Sequence, residues 1–150
     1  MVRVGRGGVV SQRVEDVMTR SPIALFESAT VQEAALAMRE ADVGDVLVLR
    51  DDDGAVCGIL TDRDIVVRMV ADRRDPVTTF VGEVYSADLT KIRPDEPIEL
   101  AVDLMRDRAV RRLAVVAAGR AVGVVSLGDL ACCRDPHSAL ADISAATANT

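Results

Sequence analysis

Apolar positions along this chain recur in two periods, and the order in which those periods follow one another occurs twice. Val14, Val17 and Met18 make a short amphipathic turn, and Ser21-Pro22 breaks it before an extended stretch from Ile23 to Phe26. Thr30-Val31-Gln32-Glu33 then opens a helix. Its threonine and glutamate are spaced to cap each other's backbone N–H, and Val31, Ala34, Ala35 and Met38 follow at i, i+3, i+4 and i+7. The nearly continuous apolar run from Val43 to Leu49 predicts a buried strand, and Asp51-Asp52-Asp53-Gly54 a hairpin turn into a second strand, Val56 to Leu60. From Asp62 to Ala71 the apolar positions Ile65, Val66, Met69 and Val70 return to helical spacing. The unit predicts helix, strand, helix, strand, strand, helix.

After Asp72-Arg73-Arg74-Asp75-Pro76, a charged linker closed by proline, the order begins again. Val81 and Val84 repeat Val14 and Val17 at a shift of 67 positions (81 minus 14), and Ala101, Met105, Val110 and Val115 repeat Ala34, Met38, Val43 and Val48 at the same shift. Beyond the hairpin the shift falls to 65 (123 minus 58), because the second turn, Ala117-Ala118-Gly119-Arg120, is two residues shorter. Two copies that cannot each bury an apolar face alone predict half-domains packed about a pseudo-twofold axis, a closed pair and not a solenoid. The expected boundaries are a flexible arm over 1–12, the first repeat over 13–72, a linker over 73–80, the second repeat over 81–134 and a tail over 135–150. The Ala-rich part of that tail, Ser138 to Thr150, is compatible with either an added helix or disorder.

Each copy culminates in the same eight residues. Gly58-Ile59-Leu60-Thr61-Asp62-Arg63-Asp64-Ile65 is matched by Gly123-Val124-Val125-Ser126-Leu127-Gly128-Asp129-Leu130. In both, a strand ends on a hydroxyl residue with an aspartate three positions later, which is the spacing of a helix-capping box. Its occurrence at equivalent points of a duplication marks these aspartates as candidate functional residues as well.

Composition narrows the chemistry. Of 150 residues 49% are hydrophobic, enough for a core, and 18 basic against 24 acidic residues leave a net charge of -6. That balance, with no basic run and only Phe26, Phe80 and Tyr85 as aromatics, argues against nucleic-acid binding. No apolar stretch reaches the roughly 18 residues a membrane span needs, and no signal-peptide core opens the chain, so a cytoplasmic location is expected. Cys57, Cys132 and Cys133 lack paired metal-ligand spacing and the single His137 lies in the polar tail, so no metal site is expected. Nor does the chain show a nucleophile paired with a base, which argues against an enzyme.

As a set, these motifs resemble a tandem pair of cystathionine-beta-synthase-type (CBS) domains, a Bateman module, over roughly Val14 to Cys133. Thr61-Asp62-Arg63-Asp64-Ile65-Val66 is similar to small stand-alone bacterial members, including hypoxic response proteins. Val110-Arg111-Arg112-Leu113 and Gly123 to Asp129 resemble the last repeat of the AMP-activated kinase gamma subunit. The resemblance implies an α+β fold in which each half packs a small, mostly three-stranded sheet on two helices. It also implies two clefts between the halves able to take AMP, ADP, ATP or S-adenosylmethionine, with no cofactor required, and a homodimer that acts on an unknown regulated protein. An aspartate accepting two hydrogen bonds suits the vicinal hydroxyls of ribose, and a nearby helix N-terminus suits phosphate.

Carried over by position, the resemblance assigns Ser126, Asp129, Arg111 and Arg112 of the second half, with Thr19, Ile23 and Ala24 of the first, to one cleft. The other receives Thr61, Asp64, Gly44 and Asp45, with Ser86 and Lys91. Leu47 and Ala114 stand where the family often has proline. Asp45 replaces the arginine found at Arg112, and a carboxylate facing phosphate at 4 Å costs about 1–4 kcal/mol. On charge, therefore, the Asp129 cleft is expected to bind phosphate more tightly. Two readings follow: a regulatory module that senses adenosyl ligands, or a structural dimerisation or stress-response protein whose clefts are vestigial.

Overall fold

The computed structural model describes residues 12–146. The arm expected over 1–12 lies outside these residues except for Gln12, as do the last four residues of the tail. Helix α2 (Val31–Ala41) starts where the capping pair predicts: Thr30 Oγ1 accepts from the Glu33 N–H at 3.2 Å, and Glu33 Oε2 accepts from the Thr30 N–H at 2.6 Å. It ends at Asp42 in the left-handed region, φ 54°, and its repeat α4 (Ile98–Arg108) ends at Ala109 with φ 53°.

In the first half β2 (Ala24–Phe26) runs parallel to β3 (Asp45–Leu49), which pairs antiparallel with β4 (Val56–Thr61). The second half repeats this with β5 (Lys91–Ile92), β6 (Arg112–Ala117) and β7 (Arg120–Ser126). Its sheet gains a fourth strand, β1 (Thr19–Arg20), which pairs antiparallel with β7. Ser86, the repeat counterpart of Thr19, makes the reciprocal bridge to Ile59 on β4, with N–H to carbonyl distances of 2.8 and 3.0 Å.

The opening segments of the two repeats are thus exchanged. Val14 of helix α1 (Val14–Val17) and Met18 are buried with Ile98, Met105, Leu113 and Leu130 of the second half. Val81 and Val84 are buried with Val31, Met38, Leu60 and Met69 of the first. Two glycines make the crossings possible: a Cβ on Gly123 would stand 2.6 Å from Met18 Sδ, and one on Gly58 would collide with the Ser86 carbonyl and the Tyr85 ring.

The helix after β4 departs from the expected amphipathic pattern. Helix α3 (Asp62–Ile65) continues as a π-helix over Val66–Val70, with the Ala71 N–H bonding back five residues to the Val66 carbonyl at 3.1 Å. The wider turn rotates the stripe off register, so that Met69 is buried while Val66 and Val70 stay 59% and 67% exposed. In the second half α5 (Leu127–Arg134) stays α-helical. The tail resolves as helix α6 (Ala139–Ala145), capped by Ser138, with Ala141 buried.

Candidate functional site: a cleft closed by Asp129

Ser126 ends β7 and caps α5, accepting from the Asp129 N–H at 3.2 Å. In return Asp129 Oδ2 accepts from the Ser126 N–H at 2.7 Å and from its hydroxyl at 2.8 Å. The capping box is real, and it fixes the carboxylate through one oxygen. Oδ1 accepts no hydrogen bond among the described residues. Thr61 and Asp64 build the same lock at 3.1, 3.0 and 2.8 Å.

Asp129 lies on a cavity of about 430 Å³ between the halves, a volume within the range of small-molecule sites. Five of the seven residues assigned to this cleft line it: Thr19 and Ile23 from the exchanged segment, Arg112 from the start of β6, and Ser126 and Asp129. Ala24 does not; its strand position pairs with Leu47. Arg111 does not either. Its carbonyl accepts from the Leu127 N–H at 2.9 Å, and the residue lines a separate groove with Met105 and Leu130.

Gly44 and Asp45, assigned to the opposite cleft, line this one. Asp45 Oδ2 lies 2.8 Å from Arg112 Nη1. Asp45 and Arg112 are repeat counterparts, and counterparts touch only where the pseudo-twofold axis passes between them, so both belong to the same central space. Desolvation by burial pushes the Asp45 carboxyl up, Arg112 draws it down, and Asp62 adds to the rise. The charge argument from sequence is therefore corrected: among the described residues one arginine faces this cleft, and a carboxylate already holds it. Ser21, Pro22, Ala41, Asp42, Val43, Leu47 and Val124 complete the lining and were not anticipated. Asp42 could have been suspected from its position just past the α2 stripe, where the helix must end.

On the other side Thr61, Asp64 and Ser86 converge, but on a side chain that the sequence reading passed over. Arg68 Nη1 donates to the carbonyls of Val84 at 2.8 Å and Tyr85 at 2.9 Å. Its Nη2 lies 3.4 Å from Ser86 Oγ and 3.7 Å from Asp64 Oδ1. The i, i+4 spacing from Asp64 was the available signal. Lys91 is directed elsewhere: its Nζ donates to the Val56 carbonyl at 2.8 Å, and the residue lines an outer groove with Leu100 and Val116.

Two exchanged α+β halves enclosing a central cleft define the class of duplicated two-repeat modules. The chain belongs to the CBS domain family, whose pattern matches residues 14–71 and 81–132. It is 41% identical over 118 residues to the CBS domain-containing protein YhcV of Bacillus subtilis, covering 79% of this chain and 82% of that one. Hypoxic response protein 1 of Mycobacterium tuberculosis is 34% identical over 116 residues, covering 77% and 80%. A crystal structure of Hypoxic Response Protein I with two coordinated zinc ions superimposes with a TM-score of 0.71 at 33% identity, over 80% of this chain and 97% of that one. A CBS domain protein from Pyrobaculum aerophilum complexed with AMP superimposes with a TM-score of 0.72 at 27% identity, over 90% and 100%. Among the described residues no group of three or more His, Cys, Asp or Glu side chains is placed to hold a metal ion, and no helix is long and apolar enough to cross a membrane.

Proposed function

We propose that this chain is a regulatory binding module, not a catalyst, and that it takes an adenine nucleotide or related adenosyl ligand in the Asp129 cleft. The observation that carries this reading is the half-committed carboxylate. Oδ2 of Asp129 is locked by Ser126, so Oδ1 is held in place at the wall of a cavity of about 430 Å³, as an acceptor for a ribose hydroxyl. The similar Pyrobaculum aerophilum protein complexed with AMP supports the choice of ligand. Binding across the seam between exchanged halves would bias their packing, and an unidentified partner protein would read the change.

The competing reading, a dimerisation protein with vestigial clefts, draws on the Arg112–Asp45 pair, which already satisfies the cleft's one cation. Thermal shift with AMP, ADP, ATP and S-adenosylmethionine separates the two. A ligand at 100 times its dissociation constant adds about 2.7 kcal/mol of stability, which for a chain of this size raises Tm by several degrees. No shift with any of the four, at millimolar concentration, would leave the vestigial reading standing.

A further inference from the structure

The two aspartate locks are equivalent in sequence and in geometry, yet Asp129 lines a cavity of about 430 Å³ while Asp64 meets a neighbouring guanidinium. The difference lies four residues beyond Asp64. Arg68 leaves the π-turn toward the exchanged segment of the other repeat and bonds the backbone carbonyls of Val84 and Tyr85 there. Its second terminal nitrogen stands between Ser86 Oγ and Asp64 Oδ1. That is the oxygen whose counterpart on Asp129 accepts no hydrogen bond among the described residues. The repeat counterpart of Arg68 is Cys133 (68 plus 65), too short to span the same gap, and its Sγ lies 2.6 Å from Gln12 Oε1 instead.

We infer that Arg68 is an internal occupant of the second cleft, which fills the position of a ribose with its own guanidinium and limits the module to one ligand per chain. Three features make the occupancy stable. A guanidinium presents several donors in a fixed fork, and here they meet two carbonyls, a hydroxyl and a carboxylate. The carbonyls belong to the segment that crosses between repeats, so the plug also ties that segment down. Ser86 holds the position that Thr19 holds in the open cleft, and each bonds the facing strand, so the two clefts share a frame and differ in the plug. The inference rests on the ligand reading above only for its choice of probe.

The test isolates the second cleft in full-length protein, with AMP as the probe and calorimetry as the readout. Wild type is expected to bind one AMP per chain and Arg68→Cys two, the added site being lost in Arg68→Cys/Asp64→Ala. Two sites in wild type, or no added site in Arg68→Cys, would overturn the inference. If wild type binds no AMP and Arg68→Cys binds one through Asp64, the plug stands and the proposal for the Asp129 cleft falls. One site in both proteins leaves that proposal intact and removes the plug. Should Arg68→Cys not fold, arginine-labelled NMR of wild type decides. The Arg68 guanidinium protons should stay protected from exchange under saturating AMP, and loss of that protection on titration would contradict the assignment.

Discussion

Asp45 sets the electrical character of the open cleft. Among the described residues Asp42, Asp45 and Asp129 line it against Arg112, so each added phosphate meets more repulsion than attraction from them. AMP is therefore expected to bind more tightly than ATP. Asp45→Asn should free Arg112 and improve ATP affinity by about fivefold or more, given about 1–4 kcal/mol for a like-charge pair at 4 Å. The same substitution has a pH signature. Burial raises the folded-state pKa of Asp45 above its unfolded value, so the folded protein binds the extra proton and stability falls as pH rises through that raised pKa. Asp45→Asn should accordingly melt higher than wild type near neutral pH, and the gap should close on acidification below the ordinary aspartate range. A gap that widens in acid would reverse the sign and show that the pair with Arg112 outweighs burial.

At the scale of elements, the crossing segments depend on glycines where no side chain fits. Gly58→Ala would drive a methyl group into backbone at the Ser86 carbonyl, and overpacking of this kind costs about 1–3 kcal/mol or more. Gly54→Ala meets nothing within 4 Å and bears only the strain of φ 67°, about 1–2 kcal/mol. Denaturant melts of both should rank Gly58→Ala as the more damaging, and the opposite order would mean the crossing is looser than it looks. The strands, the capped helices and the duplication were legible because each is written in local periodicity and spacing. The exchange was not, since Val14 and Val81 carry the same pattern whichever core receives them. Nor was the grouping of Asp45 with Arg112, because shared position along two repeats says nothing about which residues straddle the axis. Arg68 escaped because its inward direction depends on a π-turn, which has no periodic signature in Val66-Val67-Arg68-Met69-Val70.

For the whole molecule, the exchange makes neither repeat self-sufficient. A fragment ending at residue 72 lacks Val81 and Val84, and one starting at residue 73 lacks Val14 and Met18, all of them core positions. Expressed apart, each should be unfolded by circular dichroism, and mixing should restore the native spectrum; a fragment that folds alone would contradict the exchanged packing. Association follows from surface. The helix stripes Val31/Ala34/Ala35/Met38 and Ile98/Ala101/Val102/Met105, whose apolar surface predicts facing helices in a homodimer, are instead mostly taken up by the two cores, with Ala35 left exposed. Among the exposed apolar positions, which also include Phe26, Val77, Phe80 and Ile143, Val66, Val67 and Val70 cluster on the π-turn, with Leu127 on the matching helix of the second half. A homodimer built on these faces should sediment at about twice 16.0 kDa, and Val70→Glu should shift it toward the monomer. A monomer at micromolar concentration in wild type would remove the dimer.

An open cleft anchored by Asp129 makes a specific prediction for adenosyl-ligand binding. Isothermal titration of AMP into wild type, Asp129→Ala and Asp64→Ala separates the two clefts, each protein first checked by melting because either substitution also removes the carboxylate half of a capping box. One site is expected in wild type, unchanged in Asp64→Ala. In Asp129→Ala affinity should be weakened by at least one charge-assisted hydrogen bond, about 1.5–3 kcal/mol or roughly ten- to hundredfold. Binding that survives Asp129→Ala and disappears in Asp64→Ala would contradict the anchor at Asp129, and would place the ligand where Arg68 now sits.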